Sequence, residues 1–254
     1  MENDKWDRCR IMGIDRLSIR SRPSGHPLMH QNWGKLLFMH WPVEPSELRP
    51  LIPNGLEIDT FDNRAWIAIV PFTMWDIRAF PPYVPAVPRM NAMHELNVRT
   101  YVHLDGTPGV WFFSLDCNNA AAVFGARTFY YLPYYNAELT LSQSENKIDY
   151  TSNRTDKPKA TFQSTWNIGK PLPMSEPESL EFFLTERYCL FSEHNGHLYH
   201  ARIHHQQWPL QSATLDGHSS TMIEALGIPE PTGAPVLHYA EEISVEIWPL
   251  HKLT

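Results

Sequence analysis

The sequence predicts an α+β, mainly antiparallel β fold whose strands form one curved or closed sheet. Turn signals recur about every 10–15 residues with strand-like runs between them. Helical periodicity is confined to a few short segments, and no repeat, composition break or Ser/Gly linker divides the 254 residues. Many strands with few helices in an undivided chain favour a sheet that closes on itself. The expected layout is a partly irregular N-terminal extension over 1–34 and a single domain over 35–254.

The elements follow in order. Lys35-Leu-Leu-Phe-Met-His-Trp41 reads as the first strand, and Pro45 is placed for the first turn of a short helix. Asn54-Gly55 makes a tight turn into Leu56-Glu-Ile-Asp59. The run Ala65–Trp75 is apolar on both faces, as a buried strand is. Pro81, Pro82, Pro85 and Pro88 mark an extended loop over 80–90, lying over the surface or a cavity mouth. The runs 94–103 and 109–115 pair across Asp105-Gly106. A helix is expected over 118–129 with Asn118 as its cap. Further strands are expected at 136–143, 146–152, 159–167, 197–208, 210–215 and 236–248, with short helices at 177–187 and 219–227.

Composition restricts function. With 43% apolar residues, 9 Trp and 12 Phe there is material for a large core, but no run reaches the ~18–20 apolar residues of a membrane helix. A net charge of -7 argues against nucleic acid as a partner, because phosphate neutralisation needs clustered Lys and Arg. The charged first residues lack an apolar signal segment and the three cysteines are scattered, so cytoplasmic residence is expected. No glycine-rich phosphate loop or dinucleotide fingerprint is present, so no cofactor is expected.

The sharpest chemical pattern is the alternation at 94–103. Glu95, Asn97, Arg99, Tyr101 and His103 share one side of the strand, and His94, Leu96, Val98, Thr100 and Val102 the other. If the first side faces a barrel interior, it lines a polar, ligand-binding cavity in which Glu95 becomes a base once burial raises its pKa. The alternative is a half-buried strand with a solvated polar face. Glu95 and Arg99 also suit a buried ion pair that only fixes the barrel.

Other constellations are thinner. His200 and His204 would share a strand face about 13 Å apart, too far for both to reach one zinc ion at bonds of about 2 Å, and no metal is expected. Cys117 precedes the 118–129 helix, whose dipole would lower a thiol pKa; otherwise it is a small residue packed at a corner.

Three segments carry a resemblance: Leu48-Arg-Pro-Leu-Ile-Pro-Asn-Gly-Leu-Glu-Ile-Asp59, Glu95-Leu-Asn-Val-Arg-Thr-Tyr101, and Gly125-Ala-Arg-Thr-Phe-Tyr-Tyr-Leu-Pro-Tyr-Tyr135. Together they resemble the YqjF-like bacterial proteins (domain of unknown function 2071), a family that looks like a distant branch of the acetoacetate decarboxylase fold. That likeness implies a closed or cone-shaped β-barrel with a few short helices. In the decarboxylases the third segment reads Gly-Arg-Glu, a spacer, then Pro-Lys-Lys. Here the glycine is offset by one, Arg127 and Pro133 match, Thr128 replaces the glutamate, and Tyr134 and Tyr135 replace the lysine pair. A phenol forms no imine with a ketone, so Schiff-base decarboxylation is not expected.

By this resemblance Arg127, Tyr134 and Tyr135 join Glu95 as candidate catalytic residues: a tyrosine to donate to a carbonyl or enolate oxygen, Arg127 or Arg99 to pair with a carboxylate. Only one of the adjacent tyrosines can point inward. Asn97, Arg99 and Tyr101 are the candidate ligand-binding residues. Two readings stay open: a cofactor-independent enzyme acting on a small keto acid or aromatic acid, or a protein that binds and sequesters a small molecule. A small-molecule ligand and self-association into a homo-oligomer are the partners this leaves.

Overall fold

The computed structural model describes residues 13–79 and 92–253. The proline-rich segment at 80–90 and Cys9 lie outside the described residues. Thirteen strands form one continuous sheet: β1 (Met29–Val43), β2 (Glu57–Ile58), β3 (Ala65–Ala79), β4 (Ala92–Leu104), β5 (Thr107–Cys117), β6 (Tyr134–Ser144), β7 (Lys147–Arg154), β8 (Thr161–Pro171), β9 (Cys189–His194), β10 (His197–His205), β11 (Leu210–Ser220), β12 (Val236–Ile247) and β13 (His251–Lys252). The helices are α1 (Pro45–Leu48), α2 (Ala120–Phe129) and α3 (Leu180–Thr185), with short 3-10 turns at Ser18–Arg20, Arg49–Leu51 and Glu224–Leu226.

The sheet closes twice. One circuit runs β5-β6-β7-β8-β11-β12-β1-β3-β4 and returns to β5 through the β4–β5 pairing; a second runs β12-β1-β3-β4-β5-β9-β10 and returns through the β10–β12 pairing. Strands at the junctions divide their partners along their length. The start of β12 pairs with β11 at Leu210↔Ala240, and its end pairs with β10 at Ile203↔Ile247. In the same way β5 pairs parallel with β9 at Val110↔Leu190 and with β6 at Leu115↔Tyr134. The strands shared by both rings form a wall with a hydrophobic core on each side.

The wall explains why 65–75 is apolar on both faces. Ala65, Ile67 and Ile69 of β3 belong to the core with Tyr150, Phe162 and Trp166, whereas Trp66, Ala68, Val70, Phe72 and Met74 belong to the core with Leu190, Ala201 and Ile203. Period-2 side-chain alternation sends neighbours into different rings. The two-residue turn joining β4 to β5 has Asp105 and Gly106 both at positive φ (46° and 80°), the mirror-image turn that matches strand twist.

Several expectations are corrected. The first strand starts at Met29, not 35, and pairs with β12 and β3 from its first residue. The cap of α2 is Asn119, whose side chain accepts from the Ala121 and Ala122 N–H groups; Asn118 instead accepts from His94 N–H. The 219–227 helix reduces to the 3-10 turn at Glu224–Leu226, because β11 continues to Ser220. Strand β9 was not expected.

Candidate functional site

The seven-membered ring encloses a cavity of about 490 Å³. Backbone irregularities decide which side chains line it. In β4 the alternation runs unbroken, so Glu95, Asn97 and Arg99 all face the lumen. In β5 a bulge lets one extra residue, Phe113, intervene where Val98 pairs with Ser114 but Arg99 with Phe112. An extra residue reverses the phase of a strand; Val110 and Phe112 therefore line the cavity before the bulge and Leu115 after it, leaving Ser114 and Asp116 to the other ring. Strand β1 does the same around Lys35, at φ 50°: Gln31 and Trp33 line the cavity on one side of it, Leu36 and Phe38 on the other. Helix α2 covers part of the cavity with one face, Ala122, Gly125, Ala126 and Phe129, at the i, i+3, i+4, i+7 spacing of a helix face.

Glu95 is 3% exposed, and its Oε2 accepts a 2.6 Å bond from the Tyr134 hydroxyl. Burial raises its pKa to about 8, against the opposing hydrogen bonds from Tyr134 and Asn97; Asp116 adds to the rise. Arg99 is not among the groups acting on it, and no ion pair joins the two, so the ion pair that only fixes the barrel does not form. Behind the wall the Tyr150 hydroxyl donates to the Glu95 carbonyl at 2.8 Å and to the Phe72 carbonyl at 3.2 Å, pinning β4 against β3 from the packed ring. The Tyr134 phenol is pushed well above its usual pKa by burial and by Glu95, and so stays a donor.

Farther along β4 lies a cluster of cations and indole. The Arg99 guanidinium sits over Phe38 at 5.3 Å and Tyr101 at 5.7 Å, and its Nε and Nη2 are sealed from solvent without an acceptor. Arg187 lies over the same Tyr101 ring at 4.6 Å. It donates from Nη1 to Asp59 at 2.6 Å and from Nε to the Phe183 carbonyl at 2.9 Å, leaving Nη2 unpartnered. Trp208 packs edge-on to Phe38 at 5.1 Å and its Nε1 is also unpartnered. His205, stacked on Tyr188 at 4.5 Å, has its pKa pressed down to about 4 by burial and is neutral.

The structure brings Glu95, Asn97, Arg99 and Tyr134 together around one cavity. Tyr101 is fully buried behind it, its hydroxyl donating to the Leu184 carbonyl at 2.7 Å and meeting His40 Nε2 at 2.6 Å. Arg127 lies outside the cavity on the surface, bonded to Asp156 at 2.8 Å and to the Tyr134 carbonyl at 2.7 Å. The Tyr135 ring packs under the Arg154 guanidinium at 4.2 Å. Cys117 is the small residue packed at a corner rather than a thiol of lowered pKa: it is buried 3.6 Å from the Met93 sulfur, and burial pushes its thiol up to about 12. His200 and His204 are engaged separately, with the His251 ring and the Arg20 carbonyl. Among the described residues no group of three His, Cys, Asp or Glu side chains could hold a metal ion, and no helix is long and apolar enough to cross a membrane. Arg187 and Trp208 have no sequence signal, and His205 is marked only as one of the crowded histidines at 194–205; Arg187 finds its partner Asp59 across 128 residues of chain.

Comparison with known proteins adds a family, a relative and two solved structures. The family model DUF2071, described as an uncharacterized conserved protein, matches residues 30–244. The uncharacterized protein YqjF of Bacillus subtilis (strain 168) is 43% identical over 233 residues, 91% of this chain and 95% of that protein. Among solved structures, the enduracididine biosynthesis enzyme MppR complexed with pyruvate aligns with a TM-score of 0.66 at 10% identity, over 92% of this chain and 93% of that one. The acetoacetate decarboxylase of Legionella pneumophila aligns at 0.60 and 15% identity over 96% of each chain. At such identities the likeness shows a shared acetoacetate-decarboxylase-like fold and nothing of the chemistry.

Proposed function

The chain belongs to the DUF2071 family, and from its cavity we propose that it is a cofactor-independent enzyme transferring a proton to or from carbon on a small organic ligand, a keto acid or an aromatic acid. The observation that carries this is Glu95: a carboxyl group in the wall of an otherwise mostly apolar cavity, with a pKa near 8 and a tyrosine hydroxyl on its oxygen. A general base works best when its pKa lies near the working pH. At pH 7 about one Glu95 in ten is ionised, as a pKa near 8 requires. That carboxylate takes a proton from carbon next to a carbonyl, the carbonyl oxygen becomes an enolate held by cavity donors, and the same carboxyl returns a proton. Among the described residues no lysine lines the cavity, so the imine route of the decarboxylases is not part of the proposal.

A second reading, binding without catalysis, is favoured by the apolar majority of the lining. Proton exchange separates the two. Cyclohexanone, levulinate and phenylpyruvate are incubated with the protein in deuterated buffer, and loss of the α-proton signal is followed by NMR. The enzyme reading expects exchange above the buffer rate for at least one compound, rising with pH toward 8, and a loss of about 100-fold or more in Glu95→Gln. Exchange that is unchanged in Glu95→Gln, or absent for all three, contradicts it and leaves the binding reading.

A further inference from the structure

The far end of the cavity from its mouth has a composition the proton-transfer proposal does not use. Its polar groups are donors: the Arg99 guanidinium, Nη2 of Arg187 and Nε1 of Trp208. Four contacts place them together, since both guanidinium groups lie over Tyr101 and both Arg99 and Trp208 touch Phe38. Two imidazoles stand nearby, His205 and His40, and burial lowers the pKa of both, His205 to about 4 and His40 well below its usual value, so neither is a cation at neutral pH. Arg187 has a counter-ion in Asp59, whereas no carboxylate lies within ion-pair distance of Arg99 among the described residues. A guanidinium cannot shed its proton, and a buried charge without a partner is costly. The site is electrostatically incomplete without an anion.

We infer that this end is an anion subsite and that the ligand is an elongated carboxylic acid, its carboxylate held by Arg99, Arg187 and Trp208 and its apolar body lying along the cavity past Glu95. The axis follows from the strands. Leu28, Ala79 and Phe129 line the cavity yet are exposed, which marks the mouth, while Arg187 and Trp208 are 3% exposed at the other end. Glu95 stands between, with its Cα about 13 Å from that of Arg99 at roughly 3.3 Å per strand residue. A carboxylate on Arg99 therefore places the carbon facing Glu95 several bonds away, and the reacting carbon is not the one beside the carboxylate. A cavity of about 490 Å³ suits such a ligand, since it falls in the ~300–1,000 Å³ range of sites that enclose drug-sized molecules. The walls between the two ends, Val70, Phe72 and Leu115 among them, are apolar and fit a chain or a ring.

This inference rests on the cavity being a ligand site, but not on proton transfer. Titration calorimetry with acetate, butyrate, hexanoate, octanoate and octanamide tests it on the full chain. Affinity is expected to rise at least tenfold from acetate to octanoate and to fall at least tenfold from octanoate to octanamide. Arg99→Gln weakens octanoate at least tenfold without changing octanamide, and Arg99→Lys, which keeps the charge should the glutamine variant fold poorly, weakens it less. Val70→Phe, which shortens the apolar channel, weakens octanoate more than acetate. Acetate binding as tightly as octanoate, octanamide matching the acid, or octanoate bound equally by Arg99→Gln overturns the subsite. Exchange of cyclohexanone protons with no acid bound also overturns it while leaving proton transfer intact; acids bound in this pattern without exchange support it and remove the proton-transfer reading.

Discussion

Asp116 and Glu95 are buried carboxyl groups on adjacent strands, and their environments separate their roles. Asp116 accepts from Arg154 Nε at 2.7 Å, and Ser114 Oγ accepts from Arg154 Nη2 at 2.9 Å. With its counter-ion the Asp116 pKa rises only to about 6, whereas Glu95 without one rises to about 8. Breaking a buried pair leaves an uncompensated charge, so Arg154→Met is expected to destabilise the protein by about 3–5 kcal/mol. In the double variant Asp116→Asn with Arg154→Met, part of that loss returns. Chemical unfolding of the single and double variants checks this, and equal losses in both would point to lost packing instead. At this scale the alternation at 94–103 made Glu95, Asn97 and Arg99 legible in the sequence, because a strand face is a local property. Arg127 came forward only through its motif, and the motif does not record that the guanidinium turns outward to Asp156.

The elements that shape the cavity are junctions rather than long regular strands. Where β5 meets β9 a Cβ on Gly109 would lie 2.6 Å from the Phe191 ring and 2.8 Å from the Cys189 carbonyl. Gly109→Ala is therefore expected to push β9 away from β5 and to destabilise the fold by about 1–3 kcal/mol, the usual effect of overpacking. The same change should speed amide exchange at Leu190 and Phe191 more than in β7; uniform exchange across the sheet would contradict a local opening. Most strands and turns were legible from punctuation by Gly, Pro, Asn and Asp. Strand β9 was not, because Cys189, Leu190, Phe191 and Ser192 are all buried and show no alternation. Adjacent asparagines gave one capping signal for two positions, and only the backbone assigns it to Asn119. The bulge in β5 and the turn at Lys35 have no reliable sequence mark, yet they decide which residues line the cavity.

At the scale of the whole molecule, two rings sharing a wall produce one packed core and one hollow one, and the hollow ring holds the Glu95 carboxyl group in its wall, away from bulk water. A closed sheet was legible from the number and spacing of strands; its second closure through β10 and β12 was not, since it joins segments about forty residues apart with no local signature. The central claim is that Glu95 keeps its proton in the folded state up to about pH 8, against 4.5 for an ordinary glutamate. Between those values the native state binds more protons than the unfolded chain, so stability falls as pH rises and the fall ends above about pH 8. Its slope is at most about 1.4 kcal/mol per pH unit. Asp116 near 6 and the histidines whose pKa burial lowers, His40, His94, His200, His205, His218 and His238, also change protonation on folding, but they are common to the wild type and a Glu95 variant and cancel in the difference. The most direct measurement is urea unfolding of the wild type and Glu95→Gln at intervals from pH 6.5 to 8.5. Across that range the wild type should lose stability relative to the variant, which is neutral at position 95, so that the difference between the two curves shifts in favour of the variant as pH rises. Parallel curves for the two proteins would contradict a protonated Glu95, and with it the proposed site.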